Sequence, residues 1–426
     1  MANYYTTRKG DSKLERQAKR SYRNVVRARR RIVAKANRKK ETIRSATSSQ
    51  VAARKYGAVM IEEFCRQNFM QKWAGKKREQ RVIRLNDGFS LFNNPERVLG
   101  DLVRLLHDAK SYQEYPTILF DGAVHFGALY LVDSMCWEIA KHRTWKVKLR
   151  GLPKHEEVKL NKLESFKTAD YNSEDACMVN ERVFINRKAN DMANQSYRTR
   201  SKELRDMVEL AIATARGDDF EFPPEAATAI DSAISEHFDN VIQHVPQAEY
   251  ASLCGFYDKR TKELTILIFN FGFTVAETLK RKDLPNEMFE LIDGVISNHA
   301  LKYMFRIGGN FTEENALTLL ALQEGVSSRI KLDKTRGHGL IDYIEHCFEL
   351  SPACRIAIIS GRTAIRIDGT YRISEKLVFG RNRRIIALNK QNDLYSKPDK
   401  NYVSSMNVKF PGLIIETTIP LASLLK

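Results

Sequence analysis

The positive charge of this chain is concentrated at its start, and this constrains the fold more than any other feature. The first 60 residues hold 18 Lys and Arg against three acids, a net charge of +15, while the remaining residues hold 52 basic and 49 acidic side chains. Between Arg16 and Lys40 there is no acid, and 12 of these 25 residues are basic. We therefore expect residues 1–57 to form a basic arm or tail.

Apolar residues within the arm, such as Leu14, Ala18, Tyr22 and Val25, recur at helical spacing. Ala, Arg and Lys favour helices, so a long basic helix is predicted. Such a helix can lie along phosphates and release counterions, which predicts nucleic-acid binding through residues 8–55. The candidate contacts are Arg16, Lys19, Arg20, Arg23, Arg27, Arg29, Arg30, Arg31, Lys35, Arg38, Lys39 and Lys40. A solvated tail, a protein-docking arm and a membrane-surface helix are the alternatives.

The rest of the composition bounds the class of protein. A chain of 426 residues with 43% hydrophobic residues can form two or three domains with real cores. No run approaches the ~18–20 apolar residues of a membrane span, and no apolar run follows the charged N-terminus, as a secretory signal requires. The six cysteines include no C-x-x-C pair, which favours reduced thiols. We expect a cytoplasmic protein that does not bind a membrane.

Hydrophobic periodicity and turn residues divide the chain after the arm into three parts. These are a helical connector (58–80), a small α/β domain (81–165) and a larger domain (175–426). In the small domain the predicted elements are strands Arg81–Leu85, Thr117–Phe120 and Lys146–Leu149 and helices Pro95–Ala109 and Tyr130–Lys141. In the larger domain they are helices Ser201–Ala215, Pro223–Val245, Asn286–Phe305, Thr312–Gln323 and His338–Cys347, and strands Ser252–Tyr257, Leu264–Phe269, Arg355–Ser360, Thr363–Ile367 and Leu413–Ile419.

Three short motifs in the larger domain carry possible chemistry. Glu236-x-x-x-Asn240 places two polar side chains one turn apart on a predicted helix. Asn270-x-Gly272 follows the apolar strand LTILIFN. Arg336-Gly337-His338-Gly339 is a glycine-containing turn that opens a helix, where backbone N–H groups can approach phosphates.

The order and context of these motifs resemble the GHKL superfamily, which includes gyrase-type topoisomerases, histidine kinases and mismatch-repair ATPases. The resemblance covers about residues 175–426. It implies an α+β two-layer sandwich that binds ATP and Mg²⁺, preceded here by the small α/β domain and the basic arm. Many relatives dimerise on ATP, so an ATP-dependent homodimer is a further expectation.

The resemblance also assigns roles to residues. It implies that Glu236 activates water, that Asn240 binds Mg²⁺, and that Arg336, Gly337, His338 and Gly339 contact the triphosphate. Asn270 and Gly272 would hold the adenine. His244 matches the histidine or lysine often found near the end of that first helix, and the segment between Phe271 and Arg336 would form a lid over the nucleotide. Arg329, Lys331 and Lys334 near the end of that lid are further candidate phosphate contacts.

The chain departs from the family pattern at three positions. The family has an aspartate where this chain has Asn270, a glycine where the run NFGFT has Thr274, and often a threonine where Leu413 follows Gly412. An asparagine oxygen can still accept a hydrogen bond from adenine, but it carries no charge. The departures leave adenine specificity and hydrolysis open.

Three functions are therefore compatible with the sequence. The first is a Mg²⁺-dependent ATPase whose cycle is coupled to nucleic acid, or to a protein partner, held by the arm. The second is a nucleotide-binding regulatory module that does not hydrolyse ATP. The third is a serine protein kinase of the anti-sigma type. It is considered because residues 81–150 faintly resemble a STAS domain, the small α/β fold of anti-sigma-factor antagonists. A domain of this kind could also dock a protein partner.

Overall fold

The structure is a computed structural model that describes the chain in separate segments. These are residues 64–68, 82–85, 88–111, 117–121, 125–140, 148–150, 176–183, 250–258, 260–280, 286–304, 311–326, 339–378 and 381–421, with 206, 209 and 224 as isolated positions. The described residues belong to one compact unit. They form a mixture of helices and sheets, which confirms the general α/β class. The basic arm lies outside the described residues.

A small parallel sheet occupies the first part of the described chain. Its strands β1 (Val82–Leu85), β2 (Thr117–Phe120) and β3 (Lys148–Arg150) lie in that order. Parallel strands need a crossover between them, and helices α1 (Pro95–Ser111) and α2 (Phe126–Ala140) lie in the two connections. The predicted alternation of strands and helices is confirmed here, although α2 begins one turn earlier than predicted.

The central sheet is antiparallel throughout. Its described strands run in the spatial order β4-β5-β6-β10-β7. The bounds are β4 Ala176–Val183, β5 Tyr250–Asp258, β6 Glu263–Phe271, β7 Arg355–Ile367 and β10 Val403–Pro420. A separate hairpin joins β8 (Ser374–Val378) to β9 (Arg381–Ile385).

Four described helices accompany the central sheet. They are α3 (Val275–Lys280), α4 (Asn286–Met304), α5 (Glu313–Leu320) and α6 (Gly339–Leu350). Helix α5 begins with a capping box, in which Thr312 and Asn315 satisfy each other's backbone N–H groups. Apolar residues of α3, α4 and α5 form a core cluster together with Ile385, Ala387 and Leu394.

Strand alternation gives the central sheet two apolar faces. On β6, Leu267, Phe269 and Phe271 join a core cluster with residues of α1 and α2. Leu264, Ile266 and Ile268 point the other way and join a cluster with Ile341 and Ile344 of α6. The small parallel unit and the central sheet therefore share one core, and the boundaries at 81–165 and 175–426 remain predictions.

Several elements differ from the predicted ones. The prediction of two strands separated near Gly361 is wrong, because β7 is one continuous strand. Gly361 lies between the two predicted strands, and its φ of +61° lets the backbone continue there without a turn. Strand β10 begins at Val403 instead of Leu413, since its polar first half pairs with β7 alone. Strands β4, β8 and β9 and helix α3 were not predicted, because their residues alternate weakly or are mostly exposed.

The described residues bear on two expectations drawn from composition, one about membrane spans and one about cysteines. No helix among them is long and apolar enough to cross a membrane. Their four described cysteine side chains, Cys65, Cys254, Cys347 and Cys354, are all buried free thiols.

Candidate functional site

The side chain of Asn270 is the most unusual polar group in the described part of the chain. It lies near the end of β6 and is only 1% exposed. Neither its Oδ1 nor its Nδ2 has a hydrogen-bond partner. An unsatisfied buried polar group costs about 1–3 kcal/mol, so most buried amides are paired. Asn270 therefore holds an unused donor and an unused acceptor inside the protein.

The neighbouring strands explain why the amide is unpaired. Leu413 of β10 lies directly opposite Asn270, and Ala251 of β5 lies opposite on the other side. Directly opposed residues in an antiparallel pair project from the same face of the sheet. A leucine side chain cannot form a hydrogen bond. The sheet thus places the amide beside an apolar neighbour, on the face that α6 covers.

Two glycines bring the backbones together beside Asn270. The N–H of Gly272 donates to the carbonyl of Pro411 at 2.9 Å. Gly412 has φ of +146°, and a Cβ atom there would lie 1.9 Å from the backbone oxygen of Asn270. Only glycine fits this position. The close approach fixes the end of β6 against β10.

Ser360 of β7 then fixes the chain as it leaves β6. Its Oγ donates to the carbonyl of Gly412 at 2.8 Å and accepts the N–H of Val275 at 2.9 Å. Thr274, at the position where the GHKL pattern has a glycine, is the N-cap of α3. Its Oγ1 accepts the N–H of Glu277, and the Glu277 carboxylate accepts the N–H of Thr274. The departure at 274 therefore has a structural role in starting α3.

The helix predicted to open at the glycine turn is present on the same face. Helix α6 begins at Gly339, and its Tyr343 donates to Thr417 Oγ1 of β10 at 2.5 Å. Burial raises the pKa of Tyr343 well above its usual value, so the hydroxyl keeps its proton. This hydrogen bond fixes α6 to the central sheet. On the β6–β10 ladder, Thr417 lies two residue pairs away from the pair formed by Ile268 and Ile415.

Only part of the predicted site falls on described residues. Asn270 and Gly272 lie together at the end of β6, and Gly339 lies at the start of α6. The candidate nucleic-acid contacts of the arm lie outside the described residues. So do the other predicted site residues, which are Glu236, Asn240, His244, Arg329, Lys331, Lys334, Arg336, Gly337 and His338. Among the described residues no group of three or more His, Cys, Asp or Glu could hold a metal ion. The Mg²⁺ prediction rests on Asn240 and so remains a prediction.

Comparison of this chain with protein-family models, with curated proteins and with solved structures gives no match. The case for a function therefore depends on the residues themselves.

Sequence reasoning missed Ser360, Gly412 and Thr274 as parts of this site. Thr274 had a local signal, since threonine followed three residues later by Glu277 is a capping box. Gly412 follows Pro411, which marks an irregularity within a strand. Ser360 had no signal in its own segment, because its role depends on the pairing of β7 with β10.

Proposed function

We propose that this chain binds a purine nucleotide, ATP, at the end of β6, with Asn270 holding the base. The observation that supports this is the buried Asn270 amide, whose donor and acceptor are both unused. An asparagine amide matches adenine with both groups, because Oδ1 accepts from the exocyclic amino group and Nδ2 donates to a ring nitrogen. One base thus satisfies two groups that are otherwise costly to bury.

The surroundings of Asn270 fit the same proposal. Leu413, Leu340 and Phe273 pack as partly buried apolar side chains against the core on this face. Ligand sites commonly combine apolar walls with a few fixed polar groups. The bonds of Ser360 and the close approach at Gly412 hold the strand end rigid, so the amide is positioned before a ligand arrives.

The triphosphate and metal would be held by residues beyond those described. We propose that Asn240 binds Mg²⁺ and that the turn at Gly337 and Gly339 contacts the phosphates. Glu236 would orient a water for attack, which is the role general-base catalysis requires. Bound Mg-ATP supplies the phosphoryl group, and the nucleic acid or protein partner held by the arm would respond to the cycle.

The test of binding is calorimetric titration of the full chain with Mg-ATP, alongside the Asn270→Leu and Asn240→Ala variants. We expect the wild type to bind, Asn270→Leu to weaken binding at least about tenfold, as two lost hydrogen bonds imply, and Asn240→Ala to remove its dependence on Mg²⁺. If the Asn270 amide group is rotated by 180°, its Nδ2 can donate to O6 of guanine. GTP is therefore titrated as well. A wild type without affinity for either nucleotide, or an Asn270→Leu variant that binds unchanged, would refute the proposal.

A second candidate is a nucleotide-binding module that does not hydrolyse ATP. It is favoured by Asn270 and Leu413, which replace the charged and hydroxyl groups of the family pattern with an amide and an apolar side chain. Turnover at saturating Mg-ATP separates the two candidates. An ATPase loses turnover in Glu236→Gln while it keeps binding, and a non-hydrolysing module shows no turnover in either protein. Transfer of labelled phosphate to the protein itself would indicate the kinase instead.

A further inference from the structure

The β8–β9 hairpin and the loop after it are rich in positive charge. Residues 371–400 hold eight Lys and Arg against three acids, a net charge of +5. Residues 61–426 have a net charge of +3, so without this segment they would be slightly negative.

The pairing of the hairpin places cations together on one of its faces. Lys376 lies directly opposite Arg383, and Arg381 lies opposite Val378 on the same face. Like charges directly opposite each other destabilise a strand pair. Arg384 projects from the other face, where Glu324, Asp342 and Glu345 bind it. On the first face Arg383 donates to the Glu324 carbonyl at 3.4 Å and is half-buried, while Lys376 and Arg381 are exposed to solvent.

A cavity of about 230 Å³ opens beside this basic face. Its floor is apolar, formed by Val378, Ile385 and Leu394, and its rim carries Lys376, Gln391 and Tyr395. Pockets for drug-sized ligands measure about 300–1,000 Å³, so this one suits a smaller group. Asn392 and Asp393 also line it, but their side chains are occupied by bonds within the loop.

Tyr395 places an aromatic ring, held by neighbouring residues, at the rim of the cavity. Its side chain is 38% exposed, although large aromatic rings are usually buried. The ring lies against α4 at Gly294, where an added Cβ would be 3.3 Å from Cε1, and Asn298 donates to the Tyr395 carbonyl at 2.6 Å. The ring is therefore braced on one side and open on another. Leu377, the residue after Lys376 on β8, also lines the cavity and is 73% exposed.

We infer that the β8–β9 hairpin and Tyr395 form a binding site for single-stranded nucleic acid, separate from the basic arm and from the nucleotide site. Proteins bind single strands by combining a basic track for the phosphates with aromatic rings on which bases stack. Lys376, Arg381 and Lys390 supply the exposed charges, and a base enters the cavity against Tyr395. An acidic peptide would use the cations without needing the ring and the cavity.

The test measures binding of the full chain to a fluorescein-labelled single-stranded oligonucleotide over a range of salt concentrations. Tyr395→Ala should weaken binding about 5- to 150-fold, the range that base–aromatic stacking spans, and Tyr395→Phe should retain it. Lys376→Gln should reduce the slope of log affinity against log salt by about 0.7. Lys262→Gln, which removes an exposed charge at the β5–β6 turn, is the matched control and should leave the affinity unchanged.

Photo-crosslinking locates the contact independently of the arm. An oligonucleotide with 5-bromouracil should crosslink to the peptide that contains Tyr395, in addition to any crosslink within residues 1–57. Crosslinks confined to the arm, or equal effects of Lys376→Gln and Lys262→Gln, would overturn the inference. Hairpin-dependent binding of a polyglutamate peptide without binding of the oligonucleotide would overturn it in favour of a protein partner.

Discussion

Leu413 lies directly opposite Asn270 across the β6–β10 pair, and it offers no group to which the buried amide could bond. Each residue alone is unremarkable in a strand. Together they leave a donor and an acceptor unpaired in the interior, and the two predictions that follow test whether the amide is kept for a ligand or is bonded within the protein.

Asn270→Leu should keep or raise the stability of the free protein. The substitution removes two unsatisfied buried polar atoms, and such removal is worth about 1–3 kcal/mol when the new side chain fits. The free energy of unfolding, measured with denaturant and no nucleotide, should be unchanged or higher, while nucleotide affinity falls. A loss of more than about 2 kcal/mol would show that the amide makes a hydrogen bond in the folded protein.

Leu413→Thr should give Asn270 a partner across the strand pair. The matched control is Leu413→Val, which has the same shape without the hydroxyl. We expect the threonine variant to be more stable than the valine variant by about 1 kcal/mol, the net value of one hydrogen bond. The difference should vanish when both are combined with Asn270→Leu, because the hydroxyl then has no partner. A difference that persists in that background would place the hydroxyl's partner elsewhere.

Some of this site follows from local sequence. The apolar run LTILIFN predicts β6, and the glycine turn predicts a helix that begins close to Gly339, as α6 does. Both are short-range signals, one of strand composition and one of turn chemistry.

The unpaired state of Asn270 could not be predicted in this way. It depends on which residue of β10 lies opposite, and strand register is set by the whole sheet. The same holds for Ser360, which reaches Gly412 and Val275 only because β7 and β10 pair. The β8–β9 hairpin escaped prediction because its residues are polar and largely exposed, so no apolar alternation marks it.

Glu416 should make the stability of the protein depend on pH. Burial raises its pKa to about 7, although the positive charge of Arg355 and the Phe92 N–H favour the ionised form. An unfolded glutamate has a pKa near 4.3, so the folded state holds the proton more tightly and loses stability as pH rises from about 4.5 to 7. Glu416→Gln lacks this penalty.

Denaturant unfolding at pH 5 and pH 8 measures the effect. The advantage of Glu416→Gln over the wild type should grow by about 2–3 kcal/mol between the two pH values. Glu375→Gln, at an exposed position of β8, is the control and should follow the wild type at both. Parallel pH profiles for Glu416→Gln and the wild type would contradict a buried carboxyl that gains a proton on folding.

Gly412→Ala should disrupt the strand end that carries Asn270. The new Cβ would meet the Asn270 backbone oxygen at 1.9 Å, and alanine is strained at φ of +146°. Strain and overpacking of this kind cost about 2–5 kcal/mol, so the midpoint of thermal unfolding should fall and nucleotide binding should weaken with it.

Gly100→Ala is the matched control for this loss, because it adds the same methyl group inside helix α1. Its Cβ would meet only Val408 Cγ2, at an ordinary 3.8 Å. Alanine is favoured over glycine within a helix by about 0.5–1 kcal/mol, so this variant should be more stable than the wild type. If the two substitutions shifted the midpoint equally, β6 and β10 would not approach as closely at Gly412 as the structure shows.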